Sequence, residues 1–307
     1  VIDMQHFYMT VGIPGSGKSY VASTLPGVVI HSSDAIREEI LGDENDQTNQ
    51  ELVFKTLHER VLNDLSCGKD VVYDATNISY KRRMGFLIRV QALHRPALQS
   101  ICLFMATPYE MCLARNKKRD RSVPEDVIKR MYHKIDVPMI AEGWDEIQII
   151  GDEDLHEQID VLMTRLSKLE HDNPHHTFTV GQHSIATWQY LLSHYNDVDL
   201  VLARAALLHD VGKEQTKVFH DSHGNVTETA HFYNHEKVGA YNSFAYTTDL
   251  PTAQRLKVAL LIRWHMWPYV VEKSNNPNKT VSKIQSLLGN STWEQIMVLN
   301  ACDRQAH

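Results

Sequence analysis

The rhythm of hydrophobic positions changes once along the chain. In the first half, short unbroken apolar runs alternate with longer amphipathic ones. Residues 7–12, 28–31, 70–74, 98–105 and 147–150 read as strands. Runs of this length, rich in Val, Ile, Tyr and Phe, suit strands buried on both faces. Helices are expected from residue 18, from residue 34, over about 47–65 and over about 79–93. Strands alternating with helices predict an α/β domain, a parallel sheet with helices on both faces. A further amphipathic helix is expected at 153–169, and the polar, proline-broken stretch 171–176 reads as a linker. After it, every periodic segment has helical spacing: about 181–194, 199–210, 233–245, 251–264 and 292–303. That pattern predicts an all-α bundle. Two domains follow, 1–170 and 171–307.

A chain of 307 residues has room for both. Hydrophobic residues make up 43% and charged residues 22%, enough apolar material for a core in each half. The net charge of −7 argues against a molecule that attracts nucleic acid over its whole surface, so any such contact needs local basic patches. No apolar run reaches the roughly eighteen residues of a membrane span. The four cysteines, at 67, 102, 112 and 302, form no CxxC pair, which argues against a disulfide framework and a cysteine zinc site. With a polar start and no leader, a cytoplasmic protein is expected, in a bacterium or a phage-infected cell. Histidine is unevenly spread, six in residues 1–170 and twelve in 171–307, which points to metal chemistry in the second half.

Gly12-Ile-Pro-Gly15-Ser16-Gly17-Lys18-Ser19 follows a strand and opens a helix, the context in which this spacing cradles phosphates. Glycines let backbone N–H groups face the anion, Lys18 reaches the β- and γ-phosphates, and the Ser19 hydroxyl serves Mg²⁺. ATP or another NTP with Mg²⁺ is therefore expected. Asp34, just past the second strand, either caps its helix or takes a proton from an attacking hydroxyl, and Arg37 lies on the same helical face. Asp74 is placed to hold Mg²⁺ through water or to fix Arg37; Thr76 and Asn77 follow it and can orient substrate. Lys81-Arg82-Arg83 reads as a solvated helix face or, through Arg83, as a substrate contact. Arg115 and Arg119, spaced i,i+4, fit a lid whose cations cover the phosphates during transfer. Pro124 marks the next helix start, so the lid would hinge near 120–123.

Together these residues resemble the 5′-kinase domain of the bacteriophage and bacterial polynucleotide kinase family. The likeness covers residues 7–135 and includes Ser33-Asp34-x-x-Arg37, Asp74-Ala-Thr-Asn77, Arg115-Asn-x-x-Arg119 and Val123-Pro-x-Asp-Val-Ile-x-x-Met-Tyr132. It implies phosphorylation of 5′-OH ends of RNA or DNA. Asp34 would then be the general base, Arg37 a contact to the acceptor phosphate and Arg119 the lid arginine.

The second half carries Leu207-Leu-His209-Asp210-Val-Gly-Lys213, with His183 upstream and His235, His265 and Asp303 downstream. Imidazoles mixed with carboxylates suit a divalent transition metal (Mn, Ni, Co, Zn or Fe). Such an ion lowers the pKa of water bound to it, and Lys213 can hold a phosphate nearby. His220, His223 and His231 read as loop or supporting residues; His175 and His176 either touch substrate or only make the linker polar. This pattern resembles the HD phosphohydrolase superfamily, His183, His209-Asp210 and Asp303 matching its ligand set and His235 and His265 its extra histidines. Within it the likeness is to 2′,3′-phosphatase domains attached to tRNA nucleotidyltransferases and bacterial end-healing enzymes. Such bundles usually run further past the last aspartate, so a shortened C-terminus is expected. The two resemblances imply a bifunctional RNA end-healing enzyme working with a separate RNA ligase. The motifs also admit a nucleoside or metabolite kinase fused to a nucleotidase, and a nucleotide-sensing HD regulator.

Overall fold

The computed structural model describes residues 4–119, 122–151, 158–174 and 177–306. The chain divides into two compact units, Val1–Met131 with Pro138–Glu153, and Tyr132–Val137 with Asp154–His307.

The first unit follows the alternation in the sequence. Its elements are β1 (Gln5–Val11), α1 (Lys18–Thr24), β2 (Val29–Ser32), α2 (Ser33–Leu41), α3 (Gln50–Ser66), β3 (Val71–Asp74), α4 (Tyr80–Gln91), β4 (Leu98–Met105), α5 (Tyr109–Lys117), α6 (Glu125–Tyr132) and β5 (Glu146–Ile150). The five strands form one sheet in the order β2-β3-β1-β4-β5, every neighbouring pair parallel. Phe7, Met9 and Val11 of β1 and all of β3 are buried, as strands covered on both faces must be. Parallel register places the carboxyl ends of β1, β2 and β3 at one edge of the sheet, where the 12–17 loop, Asp34 at the start of α2 and Asp74 at the end of β3 converge.

Under the sheet lies a fully buried ion pair. Arg83 of α4 donates to both carboxylate oxygens of Glu142, at 2.7 and 2.6 Å. Trp144 Nε1 and the Met139 amide complete the carboxylate, and a third Arg83 nitrogen donates to the Asn77 carbonyl.

The second unit contains α7 (Ile159–Leu166), α8 (Val180–His194), α9 (Leu200–Leu208), α10 (Lys213–Thr216), β6 (Lys217–His220), β7 (Val226–Phe232), α11 (His235–Asn242), α12 (Thr252–Trp264), α13 (Trp267–Glu272), α14 (Pro277–Leu288) and α15 (Asn290–Gln305). It takes in α7, which sequence pattern alone places before a boundary at 170. The reason is packing: Leu162, Met163 and Leu166 are buried, and the end of α7 lies so close to α8 that a Cβ on Gly181 would stand 2.5 Å from the Ser167 amide. Residues 132–137 belong here too, with Asp136 paired to Arg263 at 2.9 Å and Lys237 at 3.1 Å.

The bundle is not purely helical. β6 and β7 form an antiparallel hairpin where helical spacing predicts only loop. Asp221 closes its turn by accepting from the amides of His223 and Asn225. No described helix is long and apolar enough to cross a membrane.

Candidate functional site

Each unit presents one cluster of chemistry-bearing side chains. In the first, the chain turns through residues 12–17 after β1. Gly15 has φ +83°, and a Cβ there would stand 2.2 Å from the Cys112 carbonyl oxygen, so no other residue fits. Ser16 Oγ is buried with no hydrogen-bond partner, as a loop shaped to receive an anion would leave it. Lys18 Nζ donates to the Ile13 carbonyl at 2.9 Å. Burial lowers its pKa, and Asp74 pulls the other way. Ser19 donates to Asp74 Oδ2 at 2.8 Å, and Thr10 to Oδ1 at 2.9 Å. The serine hydroxyl and the buried carboxylate so brought together are oxygen donors suited to Mg²⁺.

A cavity of about 750 Å³ opens over this loop. Lys18, Ser19, Asp34, Arg37, Asp74, Thr76 and Arg119 all line it. The cap of α2 is Ser32, whose hydroxyl accepts from the Asp34 amide, so Asp34 is not needed for that task. Its carboxylate is half exposed and 2.7 Å from Arg37 Nη1. Arg37 is buried, held also by the Glu44 carbonyl, and its Nε has no acceptor. Asp74 therefore does not fix Arg37; Asp34 does. Arg130 also lines the cavity and was not singled out by any spacing argument, although it falls inside the Val123–Tyr132 likeness.

Three expected contacts are arranged differently. Arg83 is turned into the core against Glu142 and does not line the cavity. The Asn77 side chain donates to the Thr10 carbonyl and so braces β1. Arg115 is exposed outside the cavity lining, close over Gly17, and α5 ends at Lys117, so Arg115 and Arg119 do not share a helical face. Between them Asn116 is buried and clamps Val123, donating to its carbonyl at 2.8 Å and accepting from its amide at 2.9 Å. Of the expected hinge, Asp120 and Arg121 lie outside the described residues.

In the second unit, His183 from α8, His209 and Asp210 after α9, His235 of α11, His265 after α12 and Asp303 of α15 meet in one buried cluster. The four imidazoles are oriented alike. Each places Nδ1 against a backbone carbonyl: His183 on Ala306 at 2.7 Å, His209 on Ala206 at 2.8 Å, His235 on Phe232 at 2.9 Å and His265 on Ile262 at 2.7 Å. A carbonyl can only accept, so Nδ1 carries a proton in each ring and each Nε2 faces the centre. The Nε2 atoms of His183 and His209 are 3.3 Å apart, as are those of His235 and His265. Ring nitrogens brought this close out of water share a proton or a cation, and Nδ1-braced imidazoles beside carboxylates are suited to the cation. Two sets could hold one, His183-His209-Asp210 and Asp210-His235-His265, with Asp210 common to both. Asp303 approaches His183 at 2.9 Å and accepts from Tyr269.

Burial and neighbouring charge set the protonation. Burial holds His235 and His265 down to about 4. Burial works on His209 as well, but the carboxylates of Asp210 and Asp303 overcome it and raise its pKa to about 10. Gly212 lets this arrangement close: a Cβ there would stand 2.1 Å from the His235 carbonyl. Lys213 lies 2.7 Å from Asp210 Oδ2 with its ammonium over the Phe232 ring. His171, which linker polarity disguises in the sequence, is buried and places Nε2 3.1 Å from Lys213 Nζ. His220 and His231 lie on the hairpin and His223 in its turn; His175 and His176 lie outside the described residues.

Residues 7–138 match the family model for an AAA domain, and residues 180–289 that for an HD domain. The A-adding tRNA nucleotidyltransferase of Deinococcus radiodurans is 34% identical over 93 residues, 30% of this chain and 20% of that protein. The chain thus spans only a fifth of the length of that curated relative. Among solved structures, one of the Pnkp1/Rnl/Hen1 RNA repair complex is similar over 43% of this chain and 44% of that one, at 21% identity and a TM-score of 0.36. A second structure of the complex is similar over 40% and 42%, at 22% identity and a TM-score of 0.32.

Proposed function

We propose that this chain, which joins a P-loop kinase-type AAA domain to an HD domain, heals broken RNA ends. The first unit would phosphorylate 5′-OH ends from ATP, and the second would remove 2′,3′-cyclic or 2′(3′)-phosphate. The observation that carries the reading is the shared cavity: Asp34 lines the same space as Lys18 and Arg119. Asp34 accepts the proton of the 5′-hydroxyl as it attacks, while Arg37 holds the carboxylate in place. Lys18 leaves the Ile13 carbonyl for the transferred phosphoryl group, and Arg119 meets charge developing on the far side. Ser19 and Asp74 would hold Mg²⁺, which neutralises the phosphates when bound.

In the second unit, His183, His209, Asp210, His235, His265 and Asp303 would hold a divalent transition metal, which when bound supplies an acidified water for hydrolysis. Lys213 binds the phosphate and Tyr269 orients Asp303. The likeness to a tRNA nucleotidyltransferase accords with RNA as the substrate, and products bearing 3′-OH and 5′-phosphate suit a separate RNA ligase.

The test is a crossed pair of variants. Asp34→Asn should lower transfer of γ-phosphate to a 5′-OH oligonucleotide by about 10²–10⁴-fold and spare phosphate release from a 2′,3′-cyclic end. Asp210→Asn should do the reverse. Labelling of free nucleosides in preference to oligonucleotides would support a metabolite kinase instead.

A further inference from the structure

Beside the phosphate cavity lies a second one, of about 520 Å³, that the proposed chemistry leaves unused. Gln50, Phe54 and Thr76 line both, so the two adjoin. The walls are aromatic. The Phe86 ring centroid is 4.6 Å from that of His58 and 5.0 Å from that of Tyr73, which it meets edge-on. Phe54, half-buried on α3, stands at the junction.

The hydrogen bonds in this wall have a forced direction. Arg89 Nη1 is 3.1 Å from His58 Nδ1. A guanidinium has no acceptor, so it donates, and Nδ1 carries the lone pair. The proton of the neutral ring is then on Nε2, which lies 3.1 Å from the Tyr73 hydroxyl oxygen and donates to it. Burial, aided by the Arg89 charge, lowers the His58 pKa to about 4, so the ring stays neutral. The Tyr73 oxygen is thus occupied as an acceptor, and among the described residues nothing accepts its hydrogen. Burial raises the Tyr73 pKa, which keeps that hydrogen in place. The relay ends in one donor at the wall of an aromatic cavity, next to the attacking site.

We infer that this cavity binds the nucleobase of the 5′-terminal acceptor nucleotide, stacked on Phe54 and accepting the Tyr73 hydroxyl hydrogen. A base offers what the cavity lacks: a flat π-face, and a ring nitrogen or carbonyl as acceptor. The inference rests on the kinase reading for the position of the 5′-hydroxyl at Asp34.

Two measurements on the whole chain test it. In the first, two 5′-OH oligonucleotides differ only in an abasic first residue, and the abasic one should lose about five- to a hundredfold in kcat/KM. In the second, equilibrium binding is followed by fluorescence of 2-aminopurine at the first position. Tyr73→Phe removes one hydroxyl and keeps the ring, and should weaken binding about three- to tenfold. Phe54→Leu keeps apolar volume but loses the flat face, and should weaken it as well. Equal affinity of the wild-type protein for the base-bearing and abasic ends, or variants that bind as the wild type does, overturns the inference. Binding that depends on Tyr73 without transfer to either oligonucleotide would sink the kinase reading and leave the base pocket standing.

Discussion

Lys213 owes its aim to a residue that looks like linker in the sequence. His171 donates Nδ1–H to the Phe178 carbonyl, so its Nε2 must accept from the Lys213 ammonium 3.1 Å away. His171→Ala would leave the ammonium held by Asp210 and the Phe232 ring. The expected outcome is a rise of about three- to tenfold in KM for a 2′-phosphate end, with metal content unchanged by elemental analysis. A lost metal would show instead that His171 supports the cluster itself. His58 gives a second expectation. Its pKa lies near 4 when folded and about 6.5 when unfolded. Between these values the unfolded chain binds more protons, so stability falls as pH drops from about 6.5 to about 4. The same sign holds for His171, also near 4. A ¹H–¹⁵N titration of the His58 ring should show no protonation above about pH 5; a midpoint near 6.5 would contradict the half-buried, Arg89-capped ring.

The parallel sheet was legible because its strands are short apolar runs spaced by amphipathic helices, the periodicity that burial on both faces imposes. The hairpin was not, because only Ala230 of β7 is buried and Val226 is 90% accessible, so the strand leaves no apolar signature. Helix α14, absent from the expected elements, was legible: Asn276 caps it, Pro277 opens its first turn, and Val281, Ile284 and Leu288 recur at helical spacing. The 12–19 loop was legible from its fixed spacing, and the residues of the His/Asp cluster as types far apart in the second half that the fold brings together. Arg83 misled, because a basic run on a helix does not reveal which cation turns inward to a carboxylate 59 residues away. That ion pair should be costly to break. Glu142→Gln leaves Arg83 buried beside a neutral amide, and a loss of about 3–5 kcal/mol is expected in denaturant unfolding. Replacing both partners, Arg83→Met with Glu142→Leu, should recover much of it. The link between α5 and α6 makes a smaller claim. Asn116→Ala removes both hydrogen bonds to Val123, and kcat/KM for ATP should fall while the hydrolytic activity holds.

Across the whole chain the two chemistries differ in what they require of metal. The P-loop offers oxygen donors, Ser19 and Asp74, which suit Mg²⁺; the second cluster is dominated by imidazole, which suits softer ions. Stripping the protein with a chelator and restoring Mg²⁺ should therefore return 5′-phosphorylation without phosphate removal, and Mn²⁺, Ni²⁺ or Co²⁺ should return the latter. Proton and metal also compete for the same nitrogen. With its pKa near 10, His209 is protonated at pH 7 in the absence of an ion, whereas His235 and His265, near 4, are already neutral. Loading the cluster then displaces the His209 proton, so uptake releases protons and affinity rises with pH above neutrality. Calorimetry in two buffers of different ionisation enthalpy measures that release directly. His209→Gln should abolish it. Metal affinity and proton release both unchanged by the substitution would mean that the ion sits elsewhere, and the hydrolytic half of the proposed function would go with it.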